Sequence, residues 1–96
     1  MADVWKRIMV HNPDAASRVV DGEAFIITPH DNQIHNLTEV GTRVWGLGGE
    51  GLTIGEIVAK IVEEYDVERE VAARDVEAFV SDLEERGIVS LEDPKE

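Results

Sequence analysis

Gln33-Ile34-His35-Asn36-Leu37 runs without a loop into Thr38-Glu39-Val40-Gly41-Thr42-Arg43-Val44-Trp45, and this junction decides the fold. The first five residues read as a strand whose last member, Leu37, begins the core. Thr38 is of the type that caps helix N-termini, its hydroxyl accepting from a free backbone N–H of the first turn. Glu39 follows where the helix dipole favours a carboxylate. Leu37, Val40, Val44 and Leu47 recur three to four apart, which gives the helix one apolar face. A strand delivered straight into a capped helix fixes how a sheet meets the helices beyond it.

Upstream of the junction the pattern is β. Ser17 to Val20 forms a short strand, and Asp21-Gly22 suits a tight hairpin turn. Ala24-Phe25-Ile26-Ile27-Thr28 is rich in β-branched and aromatic residues, and Pro29-His30-Asp31-Asn32 closes a second hairpin onto Gln33 to Leu37. Three short strands with two turns make an antiparallel meander. Residues 1–15, with the turn Asn12-Pro13-Asp14, read as an N-terminal arm whose Trp5, Ile8 and Val10 either dock onto the domain or hang loose.

Downstream the pattern is helical. Gly48, Gly49 and Gly51 break the first helix, which spans Thr38 to Leu47. Thr53-Ile54-Gly55-Glu56 is a capping box that opens a second helix with Ile54, Ile57, Val58, Ile61, Val62 and Tyr65 on one stripe. After Asp66-Val67-Glu68 a third helix runs from Glu70 to Arg86, with Val71, Ala72, Val76, Phe79, Val80 and Leu83 facing inward. Gly87 is a natural residue to follow the C-cap. Ile88-Val89-Ser90-Leu91 offers a last short strand before a tail over 92–96. The expected class is α+β, a three-stranded meander followed by a three-helix bundle, in one domain over residues 16–91.

Composition removes whole function classes. The 96 residues contain no cysteine, so thiolate metal sites, disulfides and cysteine nucleophiles are excluded. No apolar run approaches the ~20 residues of a membrane span. The first residues lack a secretory apolar segment, which points to the cytoplasm. The net charge is −12, with 6 acids against 4 bases in residues 1–48 and 15 against 5 in residues 49–96. Such a surface repels phosphate backbones.

The candidates for chemistry are few. His30 and His35 straddle a hairpin with Asp31 beside them, but polar turn and strand positions account for all three. No nucleophile–base spacing, nucleophile elbow or phosphate-binding loop is present. The glycines from 46 to 51 follow a helix, have no lysine and read as a helix end and linker. Trp45 is in phase with the core face. A helix-turn-helix order with a wing-like hairpin also suits a winged-helix DNA- or protein-binding module. Its third helix, however, carries Glu70, Asp75, Glu77, Asp82, Glu84 and Glu85 against Arg74 and Arg86, the wrong sign for a recognition helix.

The ordered set of meander, Leu37-Thr38-Glu39-Val40-Gly41-Thr42-Arg43-Val44-Trp45, glycine break, Thr53-Ile54-Gly55-Glu56-Ile57, Asp75-Val76 with Phe79 and Leu83, and Gly87-Ile88-Val89 resembles the PqqD family. It also resembles the wider class of precursor-peptide recognition domains. The resemblance covers residues 18–91. Thr38 stands where the family carries asparagine, another N-cap type, and Val40 and Gly41 stand for a threonine and an alanine.

The resemblance implies a winged-helix-like, non-catalytic domain with no cofactor. Such a domain binds the leader of a ribosomally made precursor peptide and delivers it to a modifying enzyme. In pyrroloquinoline quinone synthesis that enzyme is typically a radical S-adenosylmethionine protein. The resemblance places the leader against the third strand, in a groove shared with the third helix. The physics agrees: the last strand of a meander has an unpaired edge, which an extended peptide can join by main-chain hydrogen bonds. The expected binding residues are Gln33, Ile34, His35, Asn36 and Leu37 on the strand, with Asp75, Ala78, Phe79, Asp82 and Arg86 on the helix. Partners are thus a peptide and an enzyme, with no nucleic acid and no membrane.

Overall fold

Asp21 and Gly22 both take positive φ, 52° and 80°, the two-residue turn whose twist matches an antiparallel hairpin. It joins β2 to β3 in a computed structural model that describes residues 4–93. The elements in order are a 3-10 turn (Val4–Lys6), β1 (Ile8–His11), β2 (Ala16–Val20), β3 (Glu23–Thr28), β4 (Gln33–Asn36), α1 (Glu39–Gly48), α2 (Ile54–Tyr65), α3 (Arg69–Glu85) and β5 (Val89–Glu92). The fold is α+β, and β2-β3-β4 is the expected antiparallel meander. The register places Ile27 opposite Ile34 and Ile26 opposite His35. Ala24, Ile26 and Thr28 are buried beneath the sheet, while Glu23, Phe25 and Ile27 face outward.

The junction is built as its residues dictate. The Thr38 hydroxyl accepts from the Gly41 N–H at 3.1 Å. Thr42 finishes the ladder: its hydroxyl accepts from the Ala24 N–H at 2.8 Å and donates to the Leu37 carbonyl at 3.4 Å. The sheet's last rung is therefore a side chain of the helix. At α2, Thr53 and Glu56 form the reciprocal capping box at 3.2 and 2.8 Å. α3 ends in a Schellman arrangement, with Ile88 N–H on the Leu83 carbonyl and Gly87 N–H on that of Glu84. It requires the left-handed φ of 78° that Gly87 supplies.

Residues 4–11, within the segment expected as an arm, are part of this architecture. β1 pairs antiparallel with β5, Met9 opposite Leu91 and His11 opposite Val89, so the strand expected at Val89 has its partner in the segment read as an arm. Met9 is buried in the core with Ile54, Ile57, Leu83 and Ile88. The Ile54 N–H donates to the Arg7 carbonyl at 2.9 Å. Two apolar residues expected inward lie elsewhere. Val40 and Val71 are exposed and line a cleft instead.

Candidate functional site

Among the described residues β4 has one neighbour, β3, so its far edge is open. Leu37 donates its N–H to the Ala24 carbonyl at 2.8 Å. Antiparallel pairing alternates, so the main-chain groups of Leu37, His35 and Gln33 point toward β3 and those of Ile34 and Asn36 point to the open edge. That edge carries none of the lysines, prolines or acids that usually protect an unpaired strand.

The edge faces α3 across a groove of about 370 Å³ lined by Ile34, His35, Asn36, Leu37 and Thr38 on one side and Phe79, Asp82, Leu83 and Arg86 on the other, with Ile88. The floor is apolar: Leu37, Leu83 and Ile88 are buried. The rim is polar: Arg86 Nε donates to Asp82 Oδ2 at 2.9 Å one helical turn away.

His35 ties this rim to the hairpin. Arg86 lies 3.5 Å from His35 Nδ1, and since guanidinium only donates, Nδ1 accepts. The proton then sits on Nε2, which donates to the Thr28 hydroxyl at 3.1 Å. Thr28, fully buried, passes its own hydroxyl proton toward Asp31, which also accepts from the Gln33 N–H at 3.2 Å. The Thr28 hydroxyl, more than the Gln33 N–H or the two nearby imidazoles, holds the Asp31 carboxyl below its ordinary value. His30 lies 3.7 Å from Asp31. The three residues that invited a metal reading are thus engaged with Thr28 and with one another, and the described residues contain no cluster of three metal-ligating side chains.

A second cleft, about 490 Å³, opens between α1 and the α2–α3 side. Its walls are Val40, Gly41, Val44, Ile61, Tyr65, Val67, Val71, Ala72, Val76, with Asp75 at its edge. It shares Thr38 and Phe79 with the groove, so Phe79 is the partition between them. Phe79 reaches this place because Gly41 has no side chain: a Cβ there would stand 2.9 Å from Phe79 Cζ.

Seven of the ten residues expected in the site, Ile34, His35, Asn36, Leu37, Phe79, Asp82 and Arg86, line the groove. Gln33 is not among its lining, and its N–H donates to Asp31 in the hairpin. Asp75 lies on the neighbouring apolar cleft instead. Ala78 lies in neither. It borders a separate hollow with Val4, Arg7, Arg74, Glu77, Ser81 and Glu84, because one residue along a helix is a rotation of about 100° and takes Ala78 away from Phe79. Sequence reasoning missed Thr28, whose signal was a threonine on the buried alternation of β3 followed by an acid in the turn. It also missed the cleft wall of Val67 and Val71, an apolar pair around a helix break. Trp45 is partly buried and stacks on His11 at 4.2 Å between ring centres, with His11 Nε2 on its carbonyl at 2.7 Å.

The model of one protein family, described as Coenzyme PQQ synthesis protein D (PqqD), matches residues 23–89, from the first residue of β3 to the first of β5. The chain belongs to the PqqD family. Among solved structures this PqqD-family chain is similar to TbiB1 in complex with the TbiA(beta) leader peptide, at 28% identity and a TM-score of 0.80 over 84% of this chain and 94% of that one. It shares its fold with lasso peptide synthetase B1 complexed with the leader peptide, at 21% identity and a TM-score of 0.79 over 85% and 96% of the two chains. A search of the curated proteins gives no match. No helix among the described residues is long and apolar enough to cross a membrane.

Proposed function

We propose that this PqqD-family chain is a peptide-binding adaptor that takes the leader of a ribosomally made precursor peptide as a fourth strand on β4 and presents it to a modifying enzyme. The open edge of β4 facing an apolar-floored groove carries the proposal. Ile34 and Asn36 each offer an outward N–H and C=O to an extended chain. Alternate side chains of that chain would enter the groove, with Asp82 and Arg86 at its rim. The apolar cleft beyond Phe79 suits a large aliphatic or aromatic side chain at one end of the bound segment. The similarity to TbiB1, solved with a leader peptide, supports the same use of this fold here.

The adaptor itself turns over nothing in this proposal. Its contribution is effective concentration: a peptide held beside the enzyme meets the active site at local levels on the order of mM. The recognition unit spans residues 16–91, with β1 as a brace behind it. The test is a titration of the isotope-labelled chain with the leader of a precursor encoded beside its gene. The amides of Ile34 and Asn36 should shift most, with those of Phe79 and Arg86 following. Shifts confined to the outer edge of β2 or to the glycine loop would overturn the proposal.

A further inference from the structure

The outward face of the meander departs from what a solvated sheet face needs. Antiparallel sheets packed on one side alternate apolar-in with polar-out, and β3 does so for burial but not for chemistry. Its outward positions include Phe25 and Ile27, 38% and 42% exposed, and Ile34 directly opposite Ile27 is 68% exposed. Scattered apolar side chains on a surface are ordinary. These three are contiguous: Phe25 and Ile27 are two apart on one strand, and Ile34 extends their row onto the open edge strand.

The register of that edge says what meets the row. Ile34 is one of the two β4 residues whose main-chain groups face outward, so a strand added there hydrogen-bonds to it through those groups. The side chain directly opposite Ile34 lies on the same face of the sheet as Ile34. The peptide residue opposite Ile34 therefore projects onto the outer face beside Ile34 and away from the groove. Its two sequence neighbours project inward toward α3. A bound strand is read on both faces, in alternation, and this holds for either chain direction.

We propose that the outer row of Phe25, Ile27 and Ile34 is a second specificity surface, which selects a β-branched or aromatic residue at the peptide position opposite Ile34. The inference rests on the adaptor reading above and adds to it the chemistry of a position that never enters the groove. Cross-strand apolar pairs of this kind change stability by an amount equivalent to about 1.4- to 5-fold in affinity. The row is thus a selector among peptides that already bind, while the main-chain bonds and the groove supply most of the affinity.

The experiment selects a displayed library of random ten-residue peptides on the full-length chain, in parallel on Ile34→Thr and Ile34→Val proteins. Threonine keeps the branched β-carbon and the strand preference while replacing a methyl-bearing surface with a hydroxyl. Valine keeps the apolar surface. On the wild type, enriched peptides should show two-residue periodicity, with an apolar residue at an outward position between two inward ones. On Ile34→Thr the outward preference should disappear and the inward one persist, and a wild-type-selected peptide should bind about 1.4- to 5-fold more weakly. Ile34→Val should restore both. An outward preference that survives Ile34→Thr unchanged, or one absent from wild-type binders that still shift the Ile34 and Asn36 amides, overturns the inference and leaves the adaptor reading standing. A library from which the wild type enriches nothing counts against both.

Discussion

Gly41→Ala tests the packing that sets the groove. A Cβ at position 41 would lie 2.9 Å from Phe79 Cζ, 3.1 Å from its Cε1 and 3.2 Å from the Thr38 hydroxyl. Carbon atoms settle at about 3.5–4.0 Å, so the ring must retreat by roughly half an ångström or more. Two effects oppose each other. Alanine in a helix interior gains about 0.8–1.0 kcal/mol over glycine. Overpacking a well-filled contact costs about 1–3 kcal/mol. The expected result is a net loss of about 0–2 kcal/mol.

Gly46→Ala in the same helix is the control, since a Cβ there meets nothing within 4 Å. It should stabilise by up to about 1 kcal/mol. Urea unfolding followed by far-ultraviolet circular dichroism, with an unchanged m-value, measures both. The gap between the two variants isolates the Phe79 contact from helix propensity. If Gly41→Ala stabilises as much as Gly46→Ala, the ring does not lean on Gly41 and the description of Phe79 as a wedged partition is wrong. If the contact is real, the displaced ring also narrows the passage between cleft and groove, and leader affinity should fall in Gly41→Ala while holding in Gly46→Ala.

Other outcomes follow from the same geometry. Met9→Ala should cost about 2–5 kcal/mol in denaturant unfolding, the range for emptying a buried site, because β1 is a core strand; a loss below about 1 kcal/mol would return the segment to the status of an arm. Thr53→Ala should cost about 1 kcal/mol by removing one half of the capping box, read by the same unfolding assay. Asp31 gives a pH dependence: its folded value is depressed, so its stabilisation is complete above its ordinary value of 3.8 and is lost as pH falls through the lowered folded value. The Asp31→Asn protein should show a shallower acid limb than the wild type in thermal melts below about pH 5; identical limbs would remove the Thr28–Asp31 bond from the account. Asp82→Ala frees the Arg86 guanidinium from its 2.9 Å partner and spares the core, so it should change leader affinity with little change in midpoint.

The local signals in this sequence were sufficient for the local structure. Thr38 and Thr53 cap the helices they precede, Glu56 closes its box, Gly87 takes the left-handed turn, and Asp21-Gly22 makes the hairpin. Each effect is settled among residues within a few positions of one another, so the chain carries it in legible form. The β4 edge was legible for the same reason, since a meander's last strand has one neighbour unless a distant segment covers it. Tertiary structure alone decided whether one does. It paired β1 with β5 and left β4 open, a choice between strands that compete for partners far apart in the chain. It also turned α3 about its axis so that Phe79, Asp82 and Arg86 face the edge while Ala78 faces away. Helical spacing gives the relative angles of these residues, and only packing against α2 and β5 fixes the rotation. The bond between Arg86 and His35 spans 51 residues, and no pattern within either segment announces it. Sequence determined which pieces form, because their free energies are local; the fold determined which surfaces meet, because burial is optimised over the whole chain at once.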